Sequence, residues 1–472
     1  MQSLKLRSEG ITIRRLPAAC AGLLLIALAL ILNEWVIAGF LNPDVGLQST
    51  SIRITFWLFD LLLLLTGLSL IFSSNAPFVC CASFLASSFV IFALLELLPP
   101  SSIRQLGLSS IRYYALRERY LPDDGLVFRT RAFYRIEHSE YRGDLYSSSY
   151  GIQVPPIPYR ALYDRNGFRT ANATRFVQVV VLGDSYMEFG VDEADTFSER
   201  FSRLSQLSTI NFGHGGYGPF HYLAVLKRYG IQHKPKFALV AFFEGNDMTD
   251  VGQYLRWREG RSYYDYDMLL RDLQPRNLLR RYMRASGDAM RNLGSRIAHL
   301  ADGHGEIGAR TGQNIHPELV ILNVGRENIK TVFHYRLDTR GAKDLLQDAA
   351  WGELKNILTQ LRQIALDSNI VPIVIFIPTK THVYAEYSTM DSGEHWLKIR
   401  AAQIAAKGNT EAALFQLCRD VDVRFISLTP VFERAAREGK FLYYPLDTHW
   451  NSEAREIAAS LIARDLRPEL KK

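Results

Sequence analysis

Four positions in this chain carry groups that together can open an ester. Ser185 follows Gly183-Asp184, and Gly216 lies in the glycine-rich run of residues 211–218. Asn246 sits in Gly245-Asn246-Asp247, and His449 stands in Asp447-Thr448-His449-Trp450-Asn451. A serine hydroxyl beside an imidazole base is an activated nucleophile toward an acyl carbonyl. A glycine N–H and an asparagine carboxamide are donors suited to the oxyanion that results. These residue types, in this order, point to serine-dependent acyl transfer.

Element ends must deliver such groups to one place. Residues 176–182 form a short valine-rich apolar run that stops just before Gly183, and they predict a strand. Residues 196–207 have helical spacing, 209–212 predict a second strand, 219–231 a helix, and 237–243 a third strand. Farther on, the pattern gives a helix over 351–368, a strand over 370–377 ended by Pro378, and a helix over 411–421. A strand over 423–428 and a closing helix over 452–463 follow. Fully apolar strands alternating with helices predict an α/β fold with a parallel sheet covered on both faces. About five strands suit a flavodoxin-like three-layer sandwich. Ligands of such sheets sit outside the carboxyl ends of the strands. Ser185, Gly216 and Asn246 each follow a strand and are expected at one rim, met by His449 and Asp447 from the last loop.

Each residue also has a duller role open to it. Ser185 can simply cap a helix, Gly216 serve a turn, Asn246 close a loop, His449 pack, and Asp447 form a turn. Asp184 and Asp247 are expected to support their loops. His214 and His221 are expected to be structural or substrate-facing, and Tyr186 and Trp450 to wall a pocket.

On these blocks, residues 165–465 resemble an SGNH/GDSL-type hydrolase. Gly183-Asp184-Ser185 matches the first block, Gly216, five residues after Asn211, the glycine of the second, and Gly245-Asn246-Asp247 the third. The usual last block has Asp three residues before His; here Asp447 is two before and Leu446 holds the other position. The form Asp-Thr-His-Trp is similar to that of SGNH-like proteins that O-acetylate exported polysaccharides. The resemblance implies His449 as base, Asp447 as its orienting carboxylate, and an oxyanion hole from the Ser185 and Gly216 N–H groups with Asn246. It also implies an acyl ester or glycan substrate. By analogy with polysaccharide acetylation systems, it implies a multi-pass membrane partner that supplies acyl groups.

The 472 residues begin with a tract unlike the rest. Residues 18–41, 54–72 and 78–98 are apolar runs, each close to the roughly 20 residues that cross a hydrocarbon core. Lys5, Arg7, Arg14 and Arg15 precede the first run, while the following loops hold only Arg53. Positive-inside reasoning then places the N-terminus in the cytoplasm and everything after Pro100 outside it. The expected organisation is a tail at 1–15, three transmembrane helices within 16–100, and a Tyr- and Arg-rich membrane-proximal segment at 101–170. The α/β domain would fill 171–472, with an Arg-rich insertion at about 250–345. Asn166-Gly167 reads as a hairpin-type turn. The expected location is the inner membrane, with the catalytic domain periplasmic or extracellular.

Cys20, Cys80 and Cys81 fall in the apolar runs, which leaves Cys418 as a packing residue. Cysteine spacing suggests no metal site, and no cofactor is expected. A net charge of +7, unevenly spread and without a nucleic-acid-binding motif, gives no reason to expect a nucleic acid partner. Three functions stay open on sequence alone. One is an O-acyl esterase or transferase on an exported or surface glycan. The second is a carboxylesterase or lipase acting near a bilayer, and the third a non-catalytic glycan-binding or assembly component.

Overall fold

The computed structural model describes residues 22–27, 29, 50–72, 118–146, 150–170, 176–260, 315–389 and 393–470. The chain forms two compact units, Met1–Arg119 with Arg271–Ile297, and Tyr120–Leu270 with Ala298–Lys472. In the first, helix α1 spans Thr50–Phe72, over the second apolar run, and its side chains are described along part of its length. The first run is described only at residues 22–27 and 29. The third run, the three cysteines of the apolar tract and the arginines between 261 and 314 lie outside the described residues. Among the described residues, no helix is long and apolar enough to cross a membrane.

The second unit opens with two antiparallel pairs. Strand β1 (Tyr120–Asp123) pairs with β2 (Val127–Thr130), and β3 (Arg135–Tyr141) with β4 (Ile157–Leu162). The central sheet takes β5 (Val179–Leu182), β6 (Thr209–Asn211) and β7 (Phe237–Phe243). An antiparallel hairpin of β8 (Ile315–Val324) and β9 (Glu327–Tyr335) comes next. Strand β10 (Val371–Ile377) returns to the sheet, β11 (Ser388–Thr389) pairs with β8, and β12 (Arg424–Ser427) completes the sheet. The five strands run in the order β12-β10-β7-β5-β6 and are all parallel. In order of appearance that is 2-1-3-4-5 read from the β6 edge, the flavodoxin-like arrangement. The strands expected from sequence form within one to three residues of their predicted ends.

The sheet is parallel because both its faces are apolar. Every residue of β5 and β7 is buried. Val180, Leu182, Ala238, Val240, Phe242, Val374 and Phe376 point into one core. Val179, Val181, Leu239, Ala241, Phe243, Ile373, Ile375 and Ile377 point into the other. This is the period-2 alternation of a strand covered twice. The covering helices are α2 (Ser185–Glu188), α3 (Phe197–Ser205), α4 (Pro219–Val225), α5 (Asp247–Arg258), α6 (Ala349–Asp367), α7 (Lys380–Tyr384), α8 (Asn409–Asp420), α9 (Thr429–Arg437) and α10 (Ser452–Leu470). Helices α4, α6 and α8 contribute to the first core, and α3, α9 and α10 to the second. Cys418 packs in the first core with no exposure, as a small apolar residue does.

Three sequence expectations change. The 101–170 segment divides, since residues from Tyr120 onward lie in the same compact unit as the sheet. The span 250–345 is not wholly an insertion. Helix α5 crosses its start, and Val320, Leu322, Val324 and Phe333 of the hairpin enter the second core, because their alternation supplies an apolar face. Asn166-Gly167 turns the chain without joining paired strands. There Asp164 Oδ1 accepts the Asn166 and Phe168 N–H groups at 2.8 and 2.9 Å.

Leu239 lies at the middle of the central strand with no exposure. Its replacement in Leu239→Ala is expected to cost about 2–5 kcal/mol. Urea unfolding of the two proteins would show a lower midpoint with an unchanged slope.

Candidate active site

Strand β5 ends at Leu182, and Gly183-Asp184 carry the chain into the single turn of α2. Asp184 caps that turn, its Oδ1 accepting the Tyr186 N–H at 2.9 Å. Ser185 is the first residue of α2 and is partly exposed, while Tyr186, Met187 and Glu188 are buried. The Tyr186 ring stacks on Phe243 with centroids 4.1 Å apart, which locks the turn against the end of β7. Its hydroxyl donates to Thr448 O at 2.5 Å. Tyr186 therefore ties the nucleophile turn to the histidine loop from beneath and does not wall a pocket. Trp450 is wholly buried against Tyr186, Phe197 and Phe432, and likewise is core.

Three of the five site residues are joined by direct hydrogen bonds. Ser185 Oγ lies 2.8 Å from His449 Nε2. His449 Nδ1 lies 2.6 Å from Asp447 Oδ1. A carboxylate only accepts, so Nδ1 carries the proton and Nε2 is left to take the serine hydroxyl's. The spacing of two between Asp447 and His449 is workable because Asp447 Oδ1 also accepts the His449 backbone N–H, at 2.7 Å. The turn thus closes on the same oxygen that orients the ring. Phe189 stacks on the imidazole at 5.3 Å.

Gly216 and Asn246 arrive from the two strands flanking β5. Gly216 has φ +82°, and a side chain there would press on Phe128 at 3.1 Å. Among the described residues, neither the Ser185 nor the Gly216 N–H meets a protein acceptor. Gly215 beside it is fixed, its N–H donating to Glu188, whose other oxygen accepts the Tyr163 hydroxyl. Asn246 Nδ2 donates to Asp250 Oδ2 at 3.0 Å. The carboxamide also hydrogen-bonds Asp184, and so stands at the rim between two carboxylates.

His214 of the glycine-rich loop and His221 of α4 are structural. His214 Nε2 accepts the Thr130 N–H at 3.2 Å, so its Nδ1 carries the proton to Gly215 O at 2.9 Å. His221 Nδ1 accepts the Gly218 N–H at 3.1 Å, and burial, then His214, holds its pKa well below the usual histidine range.

Charge shapes the site. Burial works against a charged His449, but Asp447 and its hydrogen bond, with Asp144 and Asp184 behind, outweigh it and raise the pKa to about 9. Burial also opposes ionised Asp447, yet His449 and the hydrogen bonds from His449 and Tyr141 hold it below the usual carboxylate range. Asp184, in contrast, is pushed up to about 6 by burial. Asp247 is raised by burial and then by Asp184 and Asp250, and it serves its loop by accepting from Tyr222 Oη at 2.8 Å and Phe243 N at 3.0 Å. Lys380 lies under the histidine loop, wholly buried, with Nζ donating to Tyr444 O at 2.9 Å and Thr331 Oγ1 at 3.1 Å.

Sequence reasoning missed Tyr141, Asp144, Glu188 and Lys380. Glu188, three residues after Ser185, carried a usable signal, since a buried acid on that turn needs donors. Tyr141 and Asp144 lie some 300 positions from His449 and carried none. Among the described residues, Asp144, Asp447 and His449 are the group whose ligand atoms approach closely enough to share a cation. Their atoms are instead engaged with one another and with Thr448 and Tyr141. An open groove of about 510 Å³ lies elsewhere, lined by His382, Lys407, Glu411, Phe415 and Phe425. His382 there is paired with Glu244 and Lys407 with Glu386 and Glu433, while Glu411 accepts the Thr429 hydroxyl at 2.7 Å.

Residues 340–472 match the family described as SGNH hydrolase-like domain, acetyltransferase AlgX. The match takes in Asp447 and His449. No curated protein matches the chain. Several solved structures are similar over part of it. An acetyl xylan esterase, AlAXEase, is 12% identical with a TM-score of 0.31, over 61% of this chain and 98% of that one. The psychrotrophic esterase EstA from Pseudoalteromonas sp. is 11% identical with a TM-score of 0.26, over 62% and 98%. The SGNH hydrolase-like segment and the bonded Ser-His-Asp set support ester hydrolase or acyltransferase activity.

Two outcomes follow from the charges. The base must be neutral to take the Ser185 proton, so kcat/KM should climb with pH along a limb near 9. Initial rates on an activated acetyl ester across pH would reveal it, and a limb at the ordinary histidine value of about 6.5 would contradict this reading. Glu188→Ala frees the Gly215 peptide. It is expected to lower kcat about a hundredfold with little change in KM, at the low end of the range for loss of one oxyanion donor; steady-state kinetics separates the two.

Proposed function

We propose that this protein is a membrane-anchored serine enzyme that moves acyl groups, acetyl above all, on or off hydroxyls of an exported or cell-surface glycan. The observation that carries it is the continuous hydrogen-bond line from Ser185 Oγ through His449 to Asp447, with distances of 2.8 and 2.6 Å. The acetyltransferase description of the matched family favours acetyl and a sugar acceptor. The apolar runs of the first hundred residues and their basic lead favour anchoring, with the catalytic unit on the far side of the membrane. A multi-pass membrane protein supplying acyl groups fits that topology.

The steps balance on this chain's own groups. Ser185 Oγ attacks the acyl carbonyl carbon as its proton passes to His449 Nε2, and Asp447 stabilises the imidazolium. The Ser185 and Gly216 N–H groups and the Asn246 carboxamide hold the oxyanion. Collapse expels the alcohol oxygen, which takes the proton from His449 and leaves an acyl-serine. A sugar hydroxyl or water then attacks the acyl carbon and gives its proton to His449, and collapse expels Ser185 Oγ, which takes that proton back.

A fluorophosphonate probe tests the nucleophile. Labelling is expected at Ser185 and absent in Ser185→Ala, as read by mass spectrometry of the tryptic peptide; an unlabelled wild-type protein would remove the basis of the proposal. Incubation with an activated acetyl ester and candidate glycans then assigns the acceptor. Acetate released with none recovered on sugar would make the protein an esterase.

A further inference from the structure

We propose that Asp144 and Tyr141, carried by the strand and loop ahead of the sheet, are positioning residues of the catalytic histidine that also set its charge. The inference rests on the serine-enzyme reading above and adds two residues to it.

The loop after β3 grips the histidine turn at several polar points. Asp144 Oδ1 accepts the Thr448 N–H at 2.8 Å, and Oδ2 accepts the Thr448 hydroxyl at 2.5 Å. The Asp144 N–H reaches Asp447 Oδ2 at 3.4 Å, and the Tyr141 hydroxyl donates to the same oxygen. The Leu145 N–H donates to Leu446 O at 3.1 Å. Gly143, with φ +115°, passes so near Leu446 O that a Cβ would overlap it. Asp447, whose side chain is fully buried, therefore has both oxygens occupied. Oδ1 takes the His449 ring and backbone N–H groups, and Oδ2 takes Tyr141 and Asp144 N. A carboxylate so saturated stays ionised in a dry site.

Asp144 adds a second carboxylate. Its Oδ2 stands 3.8 Å from His449 Nδ1, and its side chain is 37% exposed. Burial and Asp447 push its pKa up, while His449 and the two Thr448 donors oppose that shift. The other groups facing the ring are Asp447 on its own loop and Asp184, Ser185 and Tyr186 from the β5–α2 turn. Lys380 on α7 acts on both Asp447 and Asp144. Of these, Asp144 comes from the part of the chain farthest from the histidine in sequence. Opposite charge within about 4–6 Å shifts a titration by roughly one to three units.

The test uses the full-length protein, reading fluorophosphonate labelling rate at Ser185 and kcat/KM on an acetyl ester, both against pH. Asp144→Asn keeps an oxygen for Thr448 and removes the charge. Its acid limb is expected to fall by about one pH unit relative to wild type. Tyr141→Phe withdraws a donor from Asp447, concentrates its charge toward His449, and is expected to move the limb upward. A merely structural role would lower rates at all pH values without moving either limb. Limbs that stay in place in folded variants overturn the proposal, and if Asp144→Asn does not fold, Tyr141→Phe decides it alone. A wild-type protein that never labels sinks the underlying reading; one that labels, with unmoved limbs, sinks only the positioning role.

Discussion

The site depends on one constraint, the side-by-side burial of β5 and β7. Both strands are apolar on both faces, and their backbones pair in register from Val179–Phe237 to Leu182–Val240. The chain lays β6 on one side of β5 and then crosses to the other side for β7. The loops after β5 and β7 therefore leave a crevice between them, where a sheet of this order binds ligands. Ser185 stands on one lip and Asn246 on the other. Their separation is fixed by ladder hydrogen bonds and two cores, not by the loops themselves. Shifting β7 by one residue would swap its cores and turn Asn246 away.

On that frame the protein gathers a cluster of acid groups. Asp144, Asp184, Asp447 and Glu188 lie close to the reacting atoms, with Asp247 and Asp250 behind Asn246. Each is held by named donors, such as Tyr141, Tyr163, Tyr222 and main-chain N–H groups. Lys380 is a buried amine near them, and burial brings its pKa down to about 7 although Asp447 and Asp144 pull the other way. Its contacts are carbonyl and hydroxyl oxygens of β9 and the histidine loop. It thus steadies the backbone of that loop. The net field favours the imidazolium, the form that must build up as the serine gives its proton away.

The sheet was legible because its signal is local. Five short apolar runs, each ending in a glycine, proline or polar turn, predicted five strands, and strand ends predicted the rim that holds Ser185, Gly216 and Asn246. The Asp447–His449 turn was legible as residue types two apart, although its geometry, with one oxygen serving ring and backbone, was not. What stayed hidden is what depends on distant pairing. Tyr141 and Asp144 occupy a polar, weakly periodic segment whose only reason to be there is a partner on the far side of the sequence. The β8–β9 hairpin was read as part of an insertion because the arginine-rich stretch before it masked its alternation. Trp450 was read as a pocket wall because an aromatic next to a reactive histidine looks exposed in one dimension, and packing alone shows it to be core.

The Ser185–His449 bond spans 264 positions and the Tyr141–Asp447 bond 306. The nucleophile, both oxyanion amides and the bracing loop are all synthesised long before the base. Contacts of such high sequence separation form late, since chain closure must precede them. A nascent or truncated chain holds an ordinary serine alcohol, inert toward esters. Reactivity switches on only with the final loop and the helix behind it, so the nucleophile stays guarded until the chain is whole.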